Sequence, residues 1–123
     1  MSDGRRGVLV VDEHVGYRAA LRRMLEADGF DVVGEAADGE SALDAIARLQ
    51  PQVVVLDINL PGIDGFEVAA RASGTAPSAI VLISTRDAES YRARLERSGV
   101  LGFIDKAELD GRRLRRLLDG ARS

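Results

Sequence analysis

The chain contains no cysteine. Disulfides and thiolate-held metals are therefore excluded, and a reducing cytoplasm suits it. It has no apolar stretch approaching the length of a membrane span. The short apolar run after Arg5 and Arg6 is too brief for a secretory signal. An excess of positive charge is also missing. The net charge is −3 over 123 residues, which points to neither nucleic acid nor an anionic membrane. Internal repeats, linkers and low-complexity segments are absent. The most informative scarcity is lysine: Lys106 stands alone against sixteen arginines. An ordinary surface cation there would serve equally well as Arg. A compact ammonium on a flexible stem differs, because it reaches a phosphate as a point charge where a planar fork would not fit.

What is present is a globular composition, 46% hydrophobic and 30% charged, of one-domain length. Val8 to Val11, Val53 to Leu56 and Ala79 to Ile83 are short, continuous and rich in β-branched residues, and read as parallel strands buried on both faces. Val32 to Ala36 and Leu101 to Ile104 are weaker runs, as outer strands tend to be. Helices are expected between them. Tyr17 to Ala27 places Leu21, Met24 and Leu25 on one face and turns Arg18, Arg22 and Arg23 outward. Ser41 to Leu49 is capped by Asp38 and closes before Pro51. Phe66 to Ala72 is broken by Gly74, Thr75 and Pro77. Ala88 to Arg97 carries Tyr91 and Leu95 and ends at Gly99, and Leu109 to Leu118 carries Leu114, Leu117 and Leu118 inward. Five βα units imply a doubly wound α/β sandwich with right-handed crossovers.

Sites in parallel sheets form beyond the carboxyl ends of the strands. Asp12-Glu13, Asp57 and Ser84 fall at three such ends, and the fifth strand leads into Lys106. If the first and third strands are neighbours, they lie about 4.8 Å apart, close enough for Asp12 and Asp57 to share a cation. The fifth strand would be two spacings from the third, roughly 10 Å, a distance a lysine side chain spans. Three clustered carboxylates without His or Cys suit a hard cation, and Mg²⁺ is the usual one at phosphate chemistry. Lys106 and the Ser84 hydroxyl would hold the remaining phosphate oxygens, and Asp57 is the expected nucleophile. Either aspartate singly could be a strand terminator. All five groups together are poorly explained that way.

The same residues carry a resemblance that covers essentially the whole chain. Val8-Leu-Val-Val-Asp12-Glu13, the segment from Val53 through Asp57, Pro61 and Gly62 to Gly65, Ile80 to Ser84, and Gly102-Phe103-Ile-Asp-Lys106 resemble the receiver domain of two-component response regulators. The opening Asp-Glu-His and Ala37 to Leu43 look most like receivers joined to helix-turn-helix DNA-binding domains. The resemblance implies a flavodoxin-like, five-stranded parallel sheet of order 2-1-3-4-5 with five helices in three layers. It implies residues 1–123 as a single receiver domain without an output domain. Asp57 would accept a phosphoryl group from a histidine kinase or phosphotransfer protein. Asp12, Glu13, Asp57 and the Asn59 backbone carbonyl would surround Mg²⁺. Ser84 stands at the Ser/Thr switch position and Phe103 at the aromatic one, where a phenylalanine offers no hydroxyl. Glu13 replaces a more usual aspartate. The implied output is a changed surface of the fourth helix, fifth strand and fifth helix. It would be read by a downstream protein, with the chain as a monomer or a phosphorylation-linked dimer.

Other residues invite weaker readings. His14, the only histidine, is expected at the start of the first helix facing solvent or the kinase. Arg86 either overhangs the phosphate or is a solvent-exposed loop residue. Arg112, Arg113, Arg115 and Arg116 read first as a solvated face and second as a partner surface, with no recognition helix for DNA. Two further functions compete with the switch. A phosphorylation-independent interaction module would commonly lose the acceptor Asp, the Lys or the acidic pair, and none is lost. A Mg²⁺-dependent phosphatase with an Asp nucleophile typically needs a second Asp two residues later, and Asn59 stands there.

Overall fold

The computed structural model describes residues 6–73 and 79–120. The elements run β1 (Gly7–Val11), α1 (Val15–Ala27), β2 (Asp31–Ala36), α2 (Gly39–Leu49), β3 (Val53–Asp57), α3 (Gly65–Ala72), β4 (Ala79–Ser84), α4 (Arg92–Ser98), β5 (Gly102–Asp105) and α5 (Gly111–Gly120). All strand pairs are parallel, in the order β2-β1-β3-β4-β5. This is the flavodoxin-like sheet that the resemblance implies.

The apolar strand runs divide by their period of two. Leu9, Val11, Val54, Leu56 and Leu82 face Ala42, Ile46, Val68 and Ala69, from α2 and α3. Val8, Val10, Val55, Val81 and Ile83 face Leu21, Leu25, Leu114 and Leu118, from α1 and α5. β3 is covered on both sides and buried along its whole length. Truncating a fully buried residue such as Leu56 to Ala therefore costs about 2–5 kcal/mol. The weaker runs, β2 and β5, are the sheet's edges, where only one flank is paired.

Helix starts follow their caps. Asp38 accepts from the Ser41 N–H and Asp64 from the Glu67 N–H, at 2.8 and 2.9 Å. Gln50, in the left-handed region, turns α2 into Pro51. The last two helices begin later than expected. Ala88–Tyr91 is a 3-10 turn, and the α-helix begins only at Arg92. The last helix begins at Gly111 rather than Leu109. Leu109 is extended and buried in the core, and Asp110 caps the helix by accepting from the Arg113 N–H at 2.7 Å. The break expected at Gly74, Thr75 and Pro77 lies outside the described residues. Among the described residues, no helix is long and apolar enough to cross a membrane.

Candidate functional site

The carboxyl ends of the three central strands meet as a polar floor in an apolar core. Asp12, Asp57 and Ser84 are 0, 3 and 0% exposed, and they are the buried polar residues among the described residues. The backbone fixes each one. The Asp12 N–H continues the β1–β2 ladder by donating to the Ala36 carbonyl at 3.1 Å, and the Ile58 N–H donates to the Ile83 carbonyl at 3.0 Å. The chain then returns so closely that the Gly65 N–H donates to the Ile58 carbonyl at 2.8 Å. A Cβ on Gly65 would lie 2.6 Å from the Asp57 carbonyl oxygen and 2.8 Å from the Ile58 Cα. Only glycine lets α3 begin pressed against the backbone of Asp57.

Lys106, immediately after β5, lies between the two carboxylates. Its Nζ contacts the Asp12 Oδ2 and donates to the Asp57 Oδ2 at 3.2 Å. It also sits 4.5 Å from the centroid of the Tyr17 ring, a cation–π contact. The remaining carboxylate oxygens are held by main chain. The Asp12 Oδ1 accepts from the His14 N–H at 2.8 Å, and the Asp57 Oδ1 accepts from the Asn59 N–H at 3.1 Å.

One ammonium for two buried carboxylates leaves an unbalanced negative charge, and the two acids share it unequally. Burial opposes ionisation of Asp12, but the Lys106 hydrogen bond and the His14 N–H outweigh it and hold Asp12 below its ordinary range. Burial raises Asp57 and wins there, despite the Asn59 N–H and Lys106. Burial lowers Lys106, but the Asp12 hydrogen bond and the Asp57 charge outweigh it and hold Lys106 above its ordinary value. Asp57 is thus the more basic carboxylate, which is the property a nucleophile needs.

A second polar group borders the first. The Ser84 Oγ accepts from the Arg86 N–H at 3.1 Å. The Asn59 Nδ2 lies 3.4 Å from both the Ser84 Oγ and the Tyr91 hydroxyl, and those two oxygens are 3.4 Å apart. The Tyr91 ring sits between Phe66 and Phe103, with centroids at 5.8 and 6.2 Å. Phe103 itself is half-buried.

The structure therefore brings Asp12, Asp57, Lys106, Ser84 and Asn59 together and sets Phe103 one ring away. Glu13 does not join them. It is exposed, and no group of three or more acidic or histidine side chains converges on one point among the described residues. His14 is exposed at the start of α1, with Nδ1 3.2 Å from the Asp12 Oδ1. Arg86 is exposed. Arg18 is not turned outward as expected. It donates to the Asp12 carbonyl at 2.7 Å and to Glu35 at 3.0 Å, tying α1 across the ends of β1 and β2.

Three residues escaped the reading of the sequence as site residues: Arg18, Tyr17 and Tyr91. A signal for the last two was available. They are the chain's only tyrosines, as Lys106 is its only lysine.

The donor set fits a hard divalent cation. Two adjacent carboxylates with a residual negative charge, and no nitrogen or sulfur ligand, match the one or two carboxylates by which Mg²⁺ is usually held at phosphate sites.

Comparison with known proteins agrees with this fold. The chain is 36% identical over 101 residues to the response regulator GacA of Pseudomonas viridiflava, covering 80% of this chain and 47% of GacA. It spans about half the length of the curated relatives it matches. The signal receiver domain of NarL from Mycobacterium tuberculosis superposes with a TM-score of 0.86 at 34% identity, over 97% of this chain and 98% of that one. A CheX-CheY-BeF3-Mg²⁺ complex from Borrelia burgdorferi contributes a match of TM-score 0.81 at 25% identity, over 96% and 90%. The model of the response regulator receiver domain matches residues 8–119, from the first core residue of β1 almost to the end of α5. With the acidic pair, the strand-end aspartate, the hydroxyl and the lysine all at the carboxyl edge of a 2-1-3-4-5 sheet, the chain belongs to the receiver domain family of two-component response regulators.

Proposed function

We propose that this receiver accepts a phosphoryl group on Asp57 from a phosphohistidine of a histidine kinase or phosphotransfer protein. We further propose that the modified domain presents an altered α4-β5-α5 surface to a downstream protein. Receiver domains in general are phosphoacceptors that serve as phosphorylation-dependent switches, and they generally bind Mg²⁺. The observation that carries the reading for this chain is the position of Lys106 between the buried carboxylates of Asp12 and Asp57 at the carboxyl ends of the central strands.

An Asp57 carboxylate oxygen attacks the phosphorus, the P–N bond to the histidine breaks, and its electron pair leaves with the imidazole. Lys106 needs only to pivot from the carboxylates to follow the negative charge onto the phosphoryl oxygens. Asp12 and Asp57, joined by Glu13 and the Asn59 carbonyl, would hold a Mg²⁺ that offsets charge on those oxygens. The Ser84 hydroxyl then turns to the phosphoryl group, and the half-buried Phe103 ring follows.

Incubation with acetyl phosphate and Mg²⁺ should add one phosphoryl group by intact mass, and Asp57→Asn should remove it. An adduct that persists in Asp57→Asn overturns the assignment.

A further inference from the structure

The aromatic residue at the expected switch position is Phe103, which has no hydroxyl, yet a phenol does reach Ser84 from another element. We infer that Tyr91 is the hydrogen-bonding arm of the switch: in the resting domain its oxygen accepts the Ser84 proton, which the phosphoryl group on Asp57 later takes away. This inference rests on Asp57 being the phosphoryl acceptor.

The argument is an accounting of protons. The Ser84 Oγ has two acceptor positions and one proton. The Arg86 N–H, at 3.1 Å, and the Asn59 amide, at 3.4 Å, occupy the acceptor positions. The single serine proton is then the one on the line to the Tyr91 oxygen, 3.4 Å away. That contact is long for an O–H···O bond, so it is weak and easily surrendered. A phosphoryl oxygen is charged, and a hydrogen bond to it is roughly twice as strong as one to a neutral phenol. Ser84 ends β4 beside β3, which ends in Asp57. A new anion on Asp57 therefore competes for the Ser84 proton and wins.

What Tyr91 loses, α4 feels. Tyr91 is the residue on which the 3-10 turn becomes α4, and no side chain caps the helix there. Its ring is buried between Phe66 and Phe103, so a shift of the phenol displaces both neighbours. On the α3 side the same helix is tied by Arg94, which bonds Asp64 at 3.1 Å and lies 4.1 Å over the Phe66 ring. Tyr91 acts through Ser84 and is a positioning residue.

Tyr91→Phe keeps the ring and deletes the competing oxygen. Intact mass follows the Asp57 adduct in the variant. Its amide shifts in Arg92–Ser98 should already lie toward the phosphorylated values, and phosphorylation should move them by about half as much or less. A second measurement uses tyrosine labelled at Cζ, which gives two signals. Phosphorylation should move the Tyr91 signal in the native chain but not in Ser84→Ala, while the Tyr17 signal, beside Lys106, moves in both. If Tyr91→Phe takes the adduct and α4 responds as fully as in the native chain, the inference is wrong. A Tyr91 signal that stays still in the phosphorylated native chain overturns it equally. If the native chain takes no adduct, the parent reading fails and this one falls with it.

Discussion

Replacing Lys106 by Met removes a charge from a buried cluster at nearly constant volume, and the cost can be bounded. Breaking a buried pair by removing one partner typically costs about 3–5 kcal/mol, because the charge left behind is uncompensated. Here two carboxylates, 0 and 5% exposed at the side chain, lose the cation they share. Part of the penalty can be relieved by protonating Asp57, which burial already raises above its ordinary 3.8. Keeping that carboxyl neutral at pH 7 costs about 4.4 kcal/mol, from 1.36 kcal/mol per unit over the interval from 3.8 to 7. At pH 5 the same escape costs about 1.6 kcal/mol. The sign follows from proton counting. The folded variant holds a proton that the unfolded chain has already released, so its stability rises as pH falls toward 3.8. Urea denaturation followed by far-ultraviolet circular dichroism suits a chain without tryptophan. In metal-free buffer, Lys106→Met should lose about 3–5 kcal/mol relative to the native chain at pH 7 and distinctly less at pH 5, where protonating Asp57 costs about 1.6 kcal/mol instead of about 4.4. Lys106→Arg, which keeps the charge, should retain most of the stability yet lose the phosphorylation-dependent shift changes, because a planar fork cannot repeat the single ammonium contact. Equal stability of Lys106→Met and the native chain at pH 7, or a loss that does not shrink at pH 5, would refute the shared-cation account.

Gly65→Ala should destabilise by about 1–3 kcal/mol, because its Cβ meets immovable backbone at Asp57 and Ile58, and slow phosphorylation by about tenfold or more through displacement of the acceptor. Gly16→Ala, with nothing within 4 Å of its Cβ, should instead stabilise α1 by about 0.5–1 kcal/mol and leave phosphorylation unchanged. Similar behaviour of the two variants, by denaturation and intact mass, would discard the close-approach argument. Tyr17 is pushed up to about 12 by burial first and by the charges of Asp12 and Asp57 next. The unfolded tyrosine ionises near 10, so this contribution to stability is complete below pH 10 and is lost as pH rises toward 12. Phenolate absorbance in a Tyr91→Phe background should place the midpoint near 12, and a midpoint near 10 would contradict the buried position. The Tyr17 hydroxyl is buried with no hydrogen-bond partner among the described residues, so Tyr17→Phe should raise stability by about 1 kcal/mol on thermal unfolding.

The fold was legible because its signals are local. Val53 to Leu56 announces a central strand by being apolar at every position, and β3 is indeed covered on both faces. Asp38 and Pro51 bracket α2 from both ends by cap chemistry that needs no tertiary partner. Where tertiary demand outweighed local preference, the boundaries moved. Leu109 reads as the start of a helix, but the core takes its side chain and the helix waits for Asp110 to cap it. Tyr91 reads as one more apolar position of α4, and becomes instead the corner between a 3-10 turn and the helix.

For the site, the chemical types and the strand ends were fixed by sequence, since Asp12, Asp57 and Ser84 each follow an apolar run whose direction a parallel sheet dictates. The residues' mutual distances were not. Residues 12, 57 and 106 meet only because the sheet runs 2-1-3-4-5, and that order is a long-range fact. Glu13 follows Asp12 directly in sequence yet is exposed, outside the set that Lys106 ties together, so adjacency in the chain did not by itself give adjacency at the site. Tyr17, Arg18 and Tyr91 approach the site from helices, or from a turn leading into one. Their contacts with Lys106, the Asp12 carbonyl and Ser84 are set by how those elements dock on the sheet. The sequence by itself determined the five βα units and the chemical types waiting at their carboxyl ends, because hydrophobic period and capping act over a few residues. Tertiary packing alone decided which of those groups share a charge and which phenol reaches Ser84, because electrostatics and hydrogen bonds depend on distances that only the closed sheet and its docked helices set.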